Sequence, residues 1–341
     1  MHYGGAVRLP SARLGHAPAC GATGTIDARS QHSTRREAGM EFGIVGLGRM
    51  GGNMARRLAR QGRKIAVTNR SFEVAESLAA ETGHLACRDY AALVAALDAP
   101  RIVWLMLPSG APTEAALDAL LPLLSPGDLV VDGANGHYVD DAPRAARCAE
   151  RGVDFVDAGV SGGVWGLENG YCIMFGGSDA AAARVKPYME ALAPTPATGW
   201  LHAGPVGSGH YVKMVHNGIE YAMMQAFAEG FALMKDKPGF GLDMARIAEL
   251  WQHGSVVRSW LLDLTADFLA KDQTLDAIEP FVSDSGEGRW TALASIEQGI
   301  PTPVMTLALM SRFDSQGRAD YGNKMLAKMR QGFGGHAVKE N

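Results

Sequence analysis

The sequence predicts an α/β domain built on a parallel sheet, followed by an all-helical domain. Three observations predict it. Short apolar runs alternate with amphipathic stretches from Met40 to about residue 206; strand signals stop after that point; and a glycine-rich turn follows the first apolar run. Strands alternating with helices imply a parallel sheet covered on both faces, because each parallel connection needs a crossover. A chain of 341 residues has room for two domains, and an apolar share of 47% supports a sizeable core in each.

Taken in order, residues 41–45 read as a short buried strand, followed by the glycine turn and a helix to about residue 60. Residues 64–68 form a second strand and 72–80 a helix. The apolar run 101–107 is a strand ended by Pro108-Ser109-Gly110. Further strands fall at 129–132, 154–158 and 171–175, with helices over 112–124, 139–151 and 180–192. The domain break is expected at 206/207. Beyond it the pattern gives helices over 207–235, 243–253, 256–270, 291–297, 302–314 and 319–330, punctuated at Pro238-Gly239, Gly286, Gly288 and Pro301.

Residues 1–39 differ from the rest. They hold Arg8, Arg13, Arg29, Arg35 and Arg36 against only Asp27 and Glu37, and they show no apolar periodicity. The expectation is a disordered extension, or translation assigned upstream of the true start, with Met40 as the natural start.

A net charge of −4 and a pI near 6.2 make no electrostatic case for nucleic acid or an anionic membrane. No apolar run reaches the length of a membrane span. Cys20, Cys87, Cys148 and Cys172 are scattered, with no spacing that reads as a metal site. They fit reduced thiols in a cytoplasmic protein.

Two motifs carry chemistry. The first is Gly46-Leu47-Gly48-Arg49-Met50-Gly51, between a predicted strand and a predicted helix. The glycines allow a tight turn and close approach of a pyrophosphate, and the helix N-terminus supplies amides and partial positive charge. In a dinucleotide site the second strand ends in Asp or Glu when NAD is bound. Here that place holds Asn69, with Arg70 and Ser71 behind it. No carboxylate repels a 2′-phosphate and an arginine stands ready to pair with it, which favours NADP. Arg70 stacking on the adenine instead would leave NAD usable.

The second motif is the segment 207–221, Gly-Ser-Gly-His-Tyr-Val-Lys-Met-Val-His-Asn-Gly-Ile-Glu-Tyr. Lys213, Asn217 and Glu220 are spaced i, i+4, i+7, which puts them on one helical stripe with His216 at its edge. Val212, Met214, Val215 and Ile219 surround that stripe with apolar surface. A lysine buried in this way has its pKa lowered and becomes a base near neutral pH. A carboxylate two turns on can serve as the matching acid.

Together these residues resemble the decarboxylating 6-phosphogluconate dehydrogenase family, a Rossmann-type α/β domain joined to a helical one. The resemblance covers nearly all of the chain from Met40. It rests on the glycine turn, Asp132-Gly133-Ala134-Asn135, Ser161-Gly162-Gly163, the Lys213 segment, Gly286-Glu287-Gly288-Arg289-Trp290-Thr291-Ala292 and the helix carrying Arg312. The chain looks like the family's short form. The resemblance implies oxidation of 6-phosphogluconate, a phosphorylated sugar acid, to ribulose 5-phosphate and CO₂, with NADP or NAD as hydride acceptor and no metal. It implies Lys213 as base and Glu220 as acid. Asn135 would lie between cofactor and substrate. Ser161, Gly162 and Gly163 would meet the carboxylate end, His216 and Asn217 the sugar, and Tyr221 and Arg312 the phosphate. It also implies a homodimer or homotetramer in which a partner's tail reaches the site.

The family's phosphate-binding lysine is replaced by Ser285, which shifts that role to Tyr221, Arg312 and Arg289. Arg318, Lys324 and His336 in the tail do not match the family spacing cleanly. Other β-hydroxyacid dehydrogenases, of the 3-hydroxyisobutyrate or tartronate semialdehyde type, are the alternative. They would share Lys213 but have no use for Glu220 as a second acid. A non-catalytic NADP(H)-binding redox sensor would leave both residues unexplained.

Overall fold

The computed structural model describes residues 40–339. The extension expected over residues 1–39, and Cys20 within it, lie outside the described residues.

Eight strands form one sheet: β1 Phe42–Val45, β2 Ala66–Thr68, β3 Leu85–Cys87, β4 Ile102–Leu105, β5 Leu129–Asp132, β6 Asp154–Ser161, β7 Cys172–Gly176 and β8 Trp200–Gly204. Their spatial order is β3-β2-β1-β4-β5-β6-β7-β8. The first half carries helices α1 Arg49–Arg60, α2 Phe72–Thr82, α3 Tyr90–Ala96, α4 Ala111–Leu120, α5 Asp141–Ala149, the single turn α6 Gly166–Asn169, and α7 Asp179–Leu192. The second half is helical: α8 Ser208–Lys235, α9 Met244–Gln252, α10 Trp260–Lys271, α11 Glu287–Gln298, α12 Pro303–Ser315 and α13 Asp320–Gly334.

The period of two along the strands decides the layering. On β4, Ile102 and Trp104 pack with Met54, Leu58 and Val185 on one face, while Val103 and Leu105 pack with Leu93, Leu117 and Leu120 on the other. Both faces are thus covered, as the apolar runs require. The strand order reverses at β1 and β4, the place where open sheets of this kind bind ligands beyond their carboxyl ends.

The sheet is not wholly parallel. β6 and β7 pair antiparallel, Asp157 opposite Gly176 through Ser161 opposite Cys172. The link between them holds only a 3-10 turn at Gly163–Trp165 and the one-turn α6, too short for a parallel crossover. Besides that turn and α6, three elements have no counterpart in the sequence reading. β3 has only three residues; α3 is alanine-rich, without a polar stripe; and β8, Trp-Leu-His-Ala-Gly, is a half-exposed edge with small residues at its end. Residues 256–259 also precede a helix instead of forming one. Ser259 Oγ accepts from the Leu262 amide at 3.2 Å and caps α10 at its start.

α8 is the link between sheet and helices. Its first turn lies directly on β6 and β7. A Cβ added at Gly209 would meet Phe175 Cα at 2.6 Å and the carbonyl oxygens of Asp157 and Met174 at 2.7 Å. One added at Gly159 would meet Lys213 Cβ at 2.3 Å. The helix has no cap from its own chain start, since its N-cap is Gly207. The buried carboxylate of Asp157 on β6 does that work, accepting from the amides of Gly207 at 2.7 Å and His210 at 2.8 Å. Farther along, Gly218 lies against Thr291 on α11, whose hydroxyl donates to the Met214 carbonyl at 3.0 Å. α9 and α10 pair over a small core of their own, made of Met244, Ala248, Leu262, Ala266 and Leu269.

Gly209→Ala is therefore expected to lower stability by about 1–3 kcal/mol or more, since the added methyl meets main chain that cannot step aside. Urea unfolding followed by circular dichroism measures it, and an unchanged midpoint would mean that α8 does not sit this close.

Candidate active site

A cleft of about 1150 Å³ runs between the carboxyl ends of β1, β4 and β5 and the first three turns of α8. Gly48, Arg49, Met50 and Gly51 line one end; Asn135, Ser161, Gly162 and Gly163 line the middle; Lys213, His216, Asn217 and Glu220 line the α8 side. Trp260, at the start of α10, stands at the edge.

The end formed by the glycine turn is built for an anion. Gly46 has φ 92°, and a Cβ there would meet the Met106 carbonyl oxygen at 2.5 Å. A Cβ at Gly51 would meet the Gly46 carbonyl oxygen at 2.0 Å. α1 starts at Gly48 with no side-chain cap and no acidic residue in its first turn, and nothing lies within 4 Å of a Cβ built at Gly48. Free amides, positive helix end and open space together fit a pyrophosphate. Leu47 belongs to this turn but faces away from the cleft. Its side chain is buried in the core, and its amide donates to Asn69 Oδ1 at 3.0 Å. Asn69 is thereby committed to bracing the turn, with its own Nδ2 donating to the Ser71 carbonyl at 3.2 Å. Arg70 and Ser71 are exposed beside it.

At the α8 end, Lys213 is 7% exposed and lies over Gly159. Its Nζ donates a short hydrogen bond to Asn217 Oδ1. His216 Nδ1 is 3.0 Å from the same oxygen and 3.8 Å from Glu220 Oε2. Burial pushes the Lys213 pKa below the ordinary lysine value; the charges of Glu220 and Glu287 oppose the shift without cancelling it. Glu220 itself is about 40% exposed, in the cleft. One helix face thus presents a weakened ammonium and a solvated carboxylate two turns apart.

Tyr221 and Arg312 do not line this cleft. The Tyr221 hydroxyl lies 3.3 Å from Ser285 Oγ and 3.5 Å from Glu287 Oε2. Ser285 Oγ donates to the same Glu287 carboxylate oxygen at 2.7 Å. The Arg312 guanidinium stacks 3.3 Å from the Tyr221 ring centre and donates to the Ser283 carbonyl at 2.8 Å. One arm of the Arg312 guanidinium, expected at the phosphate, is therefore engaged within the helical layer. Arg289 is likewise taken, paired with Asp284 and lying over the Phe313 ring.

A buried ionic cluster at the root of α8 had no role in the sequence reading. Arg144 on α5, 1% exposed, pairs with Asp132 at 3.0 Å, Glu114 at 2.7 Å and Asp141 at 3.8 Å. His210 Nδ1 lies 2.9 Å from both carboxylate oxygens of Asp141. Burial disfavours charge on His210, but the Asp141 hydrogen bond and the charges of Asp141, Asp132 and Asp157 outweigh it and raise its pKa. Burial also raises the Asp141 carboxyl, to about 6, against the pull of His210. Asp132, Asp141 and His210 bring metal-ligand atoms within 4.8 Å of one another, yet the Arg144 guanidinium already supplies a positive charge to the two carboxylates. The sequence signals for this cluster were a carboxylate ending an apolar strand at Asp132 and a histidine one turn before Lys213.

Residues 41–201 match the NAD binding domain of 6-phosphogluconate dehydrogenase, and residues 209–338 match the C-terminal domain of the same enzyme. The chain belongs to the 6-phosphogluconate dehydrogenase family. It is 38% identical over 300 residues, 88% of this chain and 98% of the other, to the NAD(+)-dependent, decarboxylating 6-phosphogluconate dehydrogenase of Haloferax volcanii. The 6-phosphogluconate dehydrogenase of Plasmodium falciparum, solved apo, with NADP+ and with 6-phosphogluconate, superposes with a TM-score of 0.75 at 31% identity, covering 88% of this chain and 66% of that one. A 3-hydroxyisobutyrate dehydrogenase from Mycobacterium tuberculosis shares the fold at a TM-score of 0.64 and 23% identity, covering 82% and 94%.

Proposed function

We propose that this chain oxidises and decarboxylates 6-phosphogluconate to ribulose 5-phosphate and CO₂, using NADP in preference to NAD. The observation that carries the reading is the pairing of buried Lys213 with cleft-facing Glu220, two turns apart on the wall opposite an anion-binding glycine turn. A simple alcohol oxidation needs the base alone. A second acid on the same helix face suits a reaction that must also return a proton to carbon.

When bound, the dinucleotide supplies the hydride acceptor. Gly48 to Gly51 would hold its pyrophosphate at the N-terminus of α1, and Arg70, exposed beside Ser71, would pair with a 2′-phosphate. Lys213, its pKa lowered by burial, takes the proton of the C3 hydroxyl as C3 is oxidised. The resulting ammonium hydrogen-bonds to the new ketone and stabilises the electron pair left on C2, and shared with the C3 oxygen, when C1 departs as CO₂. Glu220 then delivers a proton to that carbon, substrate C2, which becomes C1 of ribulose 5-phosphate. Asn217 holds Nζ, and His216, in reach of both Asn217 and Glu220, completes the polar strip facing the sugar. Ser161 and the backbone of Gly162 and Gly163, in the middle of the cleft, would receive the substrate carboxylate, with Asn135 between it and the nicotinamide. The phosphate end is assigned to the Tyr221 and Ser285 hydroxyls and to the Arg312 guanidinium stacked on the Tyr221 ring.

A homodimer or homotetramer and a cytoplasmic setting belong to the same reading. Leu293, Ile296, Ile300, Val304 and Leu307 leave a broad apolar surface on and between α11 and α12, which self-association would cover. No helix among the described residues is long and apolar enough to cross a membrane.

Purified protein given 6-phosphogluconate and NADP is expected to form NADPH and CO₂ in equal amounts, read by absorbance and by trapped carbonate. NADPH without CO₂, or turnover confined to 3-hydroxyisobutyrate, would move the chain to the simple β-hydroxyacid dehydrogenases. Asn69→Asp combined with Arg70→Ile is expected to shift the kcat/KM ratio toward NAD, because the new carboxylate repels a 2′-phosphate while still accepting from Leu47. An unchanged ratio would place cofactor choice elsewhere.

A further inference from the structure

The ionic cluster at the root of α8 takes no part in the chemistry above, yet one of its members touches both walls of the site. His210 stands one turn before Lys213 and is 1% exposed. Its amide is held by Asp157 and its Nδ1 by Asp141 on α5. Against the ring lies the turn after β5. A Cβ added at Gly136 would meet His210 Cε1 at 3.3 Å and Arg144 Nη1 at 3.7 Å. That turn also carries Asn135, exposed in the cleft. Nε2 is buried with no partner among the described residues, so the orientation of the ring rests on Nδ1 alone.

We propose that His210 is a positioning residue for the dehydrogenase reaction: its Nδ1 bond to Asp141 sets the rotation of the first turn of α8 against the Asn135 turn, and so aims Lys213. The proposal rests on the function assigned above. The lysine side chain is long, so a few degrees of helix rotation displaces Nζ by about an ångström, a misplacement that can cost about 10²-fold in rate. Arg144 already balances Asp132 and Glu114. What His210 adds is a directed bond between α5 and α8, which bulk packing would not supply.

The test uses the full chain with 6-phosphogluconate and NADP, comparing wild type with His210→Asn, His210→Gln and His210→Phe. An asparagine amide falls near the Nδ1 position and can still donate to Asp141; a glutamine amide falls nearer Nε2. His210→Phe is expected to lose about 10²-fold in kcat, and His210→Asn to keep at least about tenfold more kcat than His210→Gln, with NADPH dissociation constants within about threefold of wild type. Equal kcat for the Asn and Gln variants, a Phe variant within about threefold of wild type, or NADPH affinity falling in step with kcat would each overturn the proposal. If urea unfolding shows that the Phe variant does not fold, the Asn–Gln comparison decides alone. Absence of turnover in the wild type would instead remove the functional reading, and this inference with it.

Discussion

The carboxylate of Asp157 accepts the amides of Gly207 and His210, and so fixes the start of α8 to the end of β6. Everything at the site is referred to that joint. Gly159 and Gly209 remove the two Cβ atoms that would hold helix and strands apart. The stem of Lys213 can then lie flat on β6, out of water, with its Nζ at the cleft. The burial that lowers its pKa is thus a property of the joint and not of the lysine's immediate neighbours, which are polar or acidic and push the other way. The same joint sets how far Glu220 and the glycine turn stand from the base.

Charges buried so deeply are costly unless each is matched. Here the matching runs across four elements. Asp132 closes β5, Asp141 and Arg144 lie on α5, Glu114 on α4 and His210 on α8. Removing one member would leave an uncompensated charge, a loss of about 3–5 kcal/mol in comparable buried pairs. Such a cluster adds little net stability over a well-packed apolar core. Its contribution is direction, because hydrogen bonds to carboxylates fix angles that dispersion contacts leave loose. A site that must keep a base and an acid at set positions on a helix gains from that restraint.

Much of this was legible in the sequence because the relevant spacing is local. Lys213, Asn217 and Glu220 share a face by helical period alone, and Gly46 to Gly51 announce their turn by composition and by the strand before them. What was not legible depends on residues far apart in the chain. Asp141 and His210 are 69 residues apart, and only the sheet order brings them together. Asn69 was read for its missing charge; its bond to Leu47 needs the β1–β2 register. Arg312 was read for its charge; its contacts with the Tyr221 ring and the Ser283 carbonyl depend on how distant helices pack. The antiparallel β7 follows from the shortness of the connection after β6, a constraint that shows only once both strand ends are fixed.

The central claim is that burial makes Lys213 the base. The pH dependence of kcat/KM for 6-phosphogluconate at saturating NADP tests it most directly. The proton must be off Lys213 for reaction, so the rate falls as pH drops through the lysine pKa. That acid limb is expected below the ordinary lysine value of about 10.4, because burial lowers the group. Lys213→Met is expected to abolish turnover across the whole range while still binding NADPH. An acid limb at the ordinary lysine value, or a Lys213→Met enzyme that turns over with the wild-type profile, would contradict the assignment.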